Sequence, residues 1–155
     1  MKKLLLVLSH LGFGAAGFAL GIYMLPILIA PEGPDRATLE AASQAALYKG
    51  TFRRDLKGSD FLHWGEGEVS VSTTQVSHMG KLSPGPDYKL YLVKGFVEDE
   101  AQFNAVRSQA ALIGDVKTFD GFALGVPAGV SIDDYDTAVV WCETFSEFIS
   151  AARYR

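Results

Sequence analysis

The chain has 155 residues, 14 Lys and Arg against 18 Asp and Glu, a net charge of −4 and one cysteine. No Lys/Arg cluster could track a phosphate backbone, which argues against nucleic-acid binding. A lone thiol excludes an internal disulfide, so Cys142 is buried, held by a ligand or reactive.

Residues 1–30 read as a transmembrane signal anchor. After Met1-Lys2-Lys3 the chain is apolar from Leu4 to Ala30, with Ser9 and His10 the polar interruptions. As a helix this run extends about 40 Å at ~1.5 Å per residue, enough for a hydrocarbon core of about 30 Å. Its length and the absence of a small-x-small end around Ile27–Pro31 favour an uncleaved anchor over a cleaved signal peptide. Lys2 and Lys3 before the span, and Glu32 and Asp35 after it, place the N-terminus in the cytoplasm and the rest outside. In a bacterium this is the inner membrane with a periplasmic domain. Gly17 and Gly21 form a GxxxG, extended by Gly12 and Ala16, whose small residues would permit a homodimer through the span or simply reflect membrane-helix composition. His10 lies within reach of the headgroups, and Pro26 is expected to kink or end the last turn.

Residues 31–47 read as a helical linker. Leu39, Ala42, Ala46 and Leu47 recur at helical spacing within Arg36–Tyr48, as a stalk or as a helix packed on the domain. Residues 48–155 change to short strands separated by turns. Thr51–Arg53 starts a strand, and Gly58–Asp60 turns. Gly67–Val76 alternates Val69, Val71 and Thr73 with Ser70, Ser72 and Thr74. Ser83-Pro84-Gly85-Pro86-Asp87 is turn chemistry, with Asp87 a turn former. Strands follow at Tyr88–Val93, Ile113–Val116, Phe122–Val126 and Ala138–Thr144. A surface helix is expected near Glu100–Arg107 and a helical turn within Val130–Tyr135; Phe145, Phe148 and Ile149 close the domain. Strands of this length and spacing make an antiparallel sandwich or a small barrel. The chain has no nucleophile elbow, phosphate loop, His-Glu-x-x-His or Cys-x-x-Cys, so hydrolase chemistry is disfavoured.

Several segments together resemble the DM-thirteen electron-transfer domain family. They are Lys49-Gly50-Thr51-Phe52, His63 with Gly67-Glu68-Val69, Gly85–Leu92, Leu124–Val130, Tyr135 and Ala138–Ser146, which holds Trp141-Cys142-Glu143. The resemblance covers roughly Tyr48 to Ala152. It implies an all-β fold, an extracytoplasmic β-sandwich of antiparallel strands, here preceded by one transmembrane helix and a short helical linker. It also implies a redox role resting on the cysteine, as a thiol or as the ligand of a prosthetic group such as haem. Two departures stand out: Phe148-Ile149-Ser150-Ala151 lacks an expected glycine, and Val97–Ala111 is expanded.

A thiolate needs a positive or metallic neighbour. The family pattern carries a histidine near His63, which makes His63 the leading partner of Cys142 in catalysis or in binding a cofactor. His78 and Met79 are weaker candidates, expected beside a turn and solvated. Two ligands do not make a structural zinc site. In a strand Cys142 and Trp141 point to opposite faces, and Cys142 in the core as a small hydrophobe is the bland alternative. Trp141, Tyr91 and Phe145 are either an electron path or core aromatics. The expected function is a membrane-anchored redox or electron-transfer accessory protein with an envelope protein as partner. A redox-inert scaffold module and a small ligand carrier are the alternatives.

Overall fold

The computed structural model describes residues 1–155. Helix α1 (Lys2–Ile29) is apolar apart from Lys2, Lys3, Ser9 and His10, and is long enough to cross a membrane. Pro26 neither ends it nor shortens it; the helix continues for three more residues. Helix α2 (Arg36–Gln44) is shorter than the alanine-rich sequence suggests. Asp35 caps it by accepting a hydrogen bond from the Thr38 backbone N–H at 2.7 Å. It ends at Gln44, with Ala45 as its C-cap, and the first strand begins at Tyr48. Leu39 is buried and α2 lies on the sandwich, so it is a packed helix rather than a free stalk.

Eight strands follow: β1 (Tyr48–Phe52), β2 (Gly65–Val71), β3 (Gln75–Leu82), β4 (Tyr88–Val93), β5 (Ala111–Val116), β6 (Phe122–Gly125), β7 (Thr137–Cys142) and β8 (Glu147–Arg153). They form two four-stranded antiparallel sheets, β1-β2-β3-β6 and β5-β4-β7-β8. The fold is a β-sandwich and not a barrel, because β1 and β8 pack without pairing. Their approach needs Gly50, where a Cβ would stand 2.6 Å from the Arg153 carbonyl oxygen.

Alternation decides the two cores. Between the sheets lie Val69, Val71, Val76, Leu82 and Phe122 against Leu90, Leu92, Val140, Cys142 and Ile149. The outer face of the second sheet presents Tyr91, Val139, Trp141 and Phe148. It is covered by helix α3 (Glu100–Val106) through Phe103. The segment between β4 and β5 therefore covers the outer face.

Three expectations are corrected. The strand expected over Gly67–Val76 ends at Val71; Thr73 and Thr74 lie in a turn, and β3 begins at Gln75. His78 is neither beside a turn nor solvated. It sits within β3 at 0% exposure, between the rings of Phe52 (5.1 Å) and Phe122 (5.2 Å). Its Nε2 donates to the Glu66 carbonyl oxygen at 2.9 Å, and burial lowers its pKa to about 4. Lastly, Phe148 and Ile149 belong to β8, which contains a bulge opposite Val140/Trp141, while Phe145 stays outside in the turn.

Candidate functional site

The site lies at one end of the sandwich, where the β1–β2 loop, the β3–β4 loop and the β7–β8 turn meet. Three local sequences build it. In the β1–β2 loop the Asp60 carboxylate accepts the backbone N–H groups of Leu62 (2.6 Å) and His63 (2.7 Å), which folds the loop back on itself. The same carboxylate stands 3.1 Å from His63 Nδ1. Trp64 ties this loop to the next: its N–H donates to Ser83 Oγ at 3.1 Å and its carbonyl accepts from the Ser83 N–H at 2.9 Å.

In the β3–β4 loop, Pro84-Gly85-Pro86 delivers Asp87 at a φ of 52°. Gly85 is required there, because a Cβ would collide with Tyr88 Oη. The Asp87 carbonyl accepts the Glu143 N–H at 3.0 Å, which fixes the loop against the β7–β8 turn. Cys142, the last residue of β7, completes the floor. Its thiol donates to the Pro86 carbonyl oxygen at 3.1 Å.

Cys142 and His63 line one cavity of about 330 Å³. The remaining walls are Leu62, Pro84, Tyr88, Phe145 and Ile149 from the sandwich, and Ala19, Ile22 and Tyr23 from α1. The lining is apolar with a few converging polar groups, the usual character of a small-molecule site. Cys142 is 2% exposed, and burial pushes its thiol up. The carboxylates of Asp87 and Glu147 act in the same direction, against the backbone N–H groups of Phe145 and Thr144. The thiol form is thus the resting form. Burial also opposes ionisation of Asp60, but the His63 ring and the two loop amides outweigh it and hold this carboxyl below its usual range.

Asp60 went unnoticed in the sequence, although Asp-x-x-His in a turn is a recognisable way to orient an imidazole. With Nδ1 facing Asp60, Nε2 is the ring nitrogen left for other work. The contribution of α1 had no sequence signal at all. His78 and Met79 do not line this cavity, and His78 is a core residue.

The aromatic trio divides. Tyr91 and Trp141 lie on the outer face with Phe103, whose ring is 5.4 Å from Tyr91 and 4.7 Å from Trp141. The Tyr91 hydroxyl and Arg107 both donate to Glu143, which tethers the covering segment. Phe145 lines the cavity on the other side of the strand, so these three rings are no continuous path.

The donor set can be tested against haem. A porphyrin with its propionates needs more room than about 330 Å³, and no Lys or Arg lines the cavity to pair with propionates. The sulfur is moreover engaged as a neutral donor. These residues do not fit a thiolate-ligated haem.

No curated protein and no solved structure matches the chain. A comparison with protein families matches residues 55–154 to the family described as Electron transfer DM13. The match runs from the β1–β2 loop through β8 and contains Asp60, His63, Pro86 and Cys142. The chain belongs to the Electron transfer DM13 family.

Proposed function

We propose that the chain is a membrane-anchored, extracytoplasmic electron-transfer accessory protein in which the Cys142 thiol is the redox group and His63 its proton acceptor. The family supports the electron-transfer class. The observation that carries the finer reading is that Cys142 and His63, far apart in sequence, line the same cavity. A thiol that gives up electrons must also give up its proton. Nε2 of His63 is the acceptor, and Asp60 on Nδ1 orients the ring, the logic of an activated nucleophile with an oriented base. Helix α1 is the uncleaved anchor, with Lys2 and Lys3 on the cytoplasmic side of the inner membrane and the sandwich in the periplasm. One electron goes to an envelope partner of the one-electron acceptor class and the proton to His63, which leaves a thiyl radical on Cys142 Sγ. Gly12, Gly17 and Gly21 have open space around them, which leaves a face of α1 on which a second copy could pack.

The test is alkylation of Cys142 in the folded protein as a function of pH. We expect labelling without unfolding, at a rate that falls about tenfold when His63→Gln removes the base. Labelling that begins only on unfolding, or is indifferent to His63, ends this reading. The absorption spectrum and metal content of the purified protein, compared with Cys142→Ser, check independently for a prosthetic group.

A second reading has its own observation. Cys142 belongs to the inner core cluster and its thiol donates to a backbone carbonyl. A redox-inert envelope scaffold would use the sulfur in this way, as a small hydrophobe.

A further inference from the structure

Helix α1 touches the sandwich over its last turns. Ala19, Ile22 and Tyr23 wall the Cys142 cavity, while Leu25, Pro26 and Ile29 face Pro86, Tyr88 and Phe119 in a neighbouring cleft. Ala19, Ile22, Pro26 and Ile29 form one helical stripe, and Ile22 and Pro26 are half-buried by this contact. This has a geometric consequence if α1 spans the membrane. From Lys2 to Ala19 the helix rises only about 26 Å at ~1.5 Å per residue. A hydrocarbon core takes about 30 Å. With Lys2 and Lys3 held at the cytoplasmic surface, Ala19 reaches no further than the outer edge of the hydrocarbon. Whatever the sandwich sets against Ala19 lies at that depth too.

Beside His63, large apolar side chains there are uncovered. Leu62 and Phe145, which share the cavity wall with Ala19, are 49% and 50% exposed, and Phe61 beside Leu62 is 90% exposed. Large apolar side chains from two separate loops thus project at the end of the sandwich that α1 brings to the membrane. Phe96 is also partly exposed, but it follows β4 at its opposite end.

We propose that Phe61, Leu62 and Phe145 form a membrane-contact surface that seats this end of the sandwich in the outer-leaflet interface, so that the cavity holding Cys142 opens toward lipid rather than water. The proposal rests on α1 being a retained span. It adds the partner of the rim, the acyl–headgroup boundary of the same bilayer, where aromatic and aliphatic side chains of this kind insert. A molecule reaching Cys142 then comes from the lipid phase.

The experiment uses the full chain in vesicles of phosphatidylcholine and phosphatidylglycerol. Nitroxides are placed at Phe61→Cys, Phe145→Cys and, as the distant control, Phe96→Cys, each in a Cys142→Ser background. Relaxation by oxygen reports lipid, and relaxation by a water-soluble nickel chelate reports solvent. The labels at 61 and 145 should favour oxygen, with the ratio inverted at 96. In the unsubstituted protein, a neutral maleimide should label Cys142 faster than a sulfonated one, which keeps the test alive should the serine background fold poorly. Labels at 61 and 145 as nickel-accessible as that at 96, in protein that resists a carbonate wash, overturn the membrane seat and leave the anchor standing. Release of the intact chain by carbonate overturns both.

Discussion

The two faces of β7 are one residue apart in sequence and opposite in character. On the Trp141 side the strand is closed. Phe103 of α3 stacks on the indole, and Arg107, Glu143 and Tyr91 tie the covering segment down from above. On the Cys142 side the inter-sheet core is left unfilled at its end, and the space is walled partly by residues of a separate helix, α1. A sandwich needs its outer apolar face covered, and α3 does this. Nothing in folding requires a cavity beside a thiol. Trp141 is sealed in the outer core under α3, whereas Cys142, its neighbour in the strand, borders a cavity.

Emptying the closed side should have the largest effect. Trp141→Ala should cost about 3–5 kcal/mol of stability, read from urea unfolding of the protein, because a fully buried indole leaves a void that the sheet cannot collapse around. A midpoint close to the parent's would mean that α3 does not seal that face.

Next in size is the pH response of the sealed part of the inner core. His78 is neutral in the fold with a pKa of about 4, against ~6.5 when unfolded. Its contribution is complete above pH ~6.5, where both states are neutral. As pH falls the unfolded chain takes up the proton first, and stability is lost down to about 4, by roughly 3 kcal/mol in all. His78→Leu should flatten the dependence of the unfolding midpoint over that window. If the slope persists unchanged, His78 is wetter than its packing between Phe52 and Phe122 indicates.

The smallest effect is expected at the rim of the open side. Phe61→Ser should change the unfolding free energy by no more than about 0.5 kcal/mol, since a side chain this exposed supports no packing. A larger loss would show that the loop is part of the core, and the open and closed sides would no longer differ.

Much of the fold was legible in the chain because it rests on local patterns. β4 and β7 read correctly from their β-branched and aromatic runs, α3 from lost alternation, and the β3–β4 loop from its Pro and Gly. β3 was missed because its inward positions include a histidine and a glycine, which hide the period of two in Gln75–Leu82. β8 was missed because its bulge turns both Ile149 and Ser150 inward, and its alanines carry little strand signal. At the site, Cys142 and His63 could be named as single residues. Asp60 acquires meaning only once its loop folds under His63, and Phe145 parts from Trp141 and Tyr91 because the turn places it on the other face.

Composition and periodicity along the backbone are enough to establish a long apolar N-terminal helix, an antiparallel all-β domain and a cysteine with no covalent mate. It took the folded chain to bring the cysteine and His63 to one cavity, to wall that cavity with α1 and to seal His78 away. Those facts depend on which loops gather at one end of two stacked sheets, and contacts between residues distant in the chain leave no mark on local pattern.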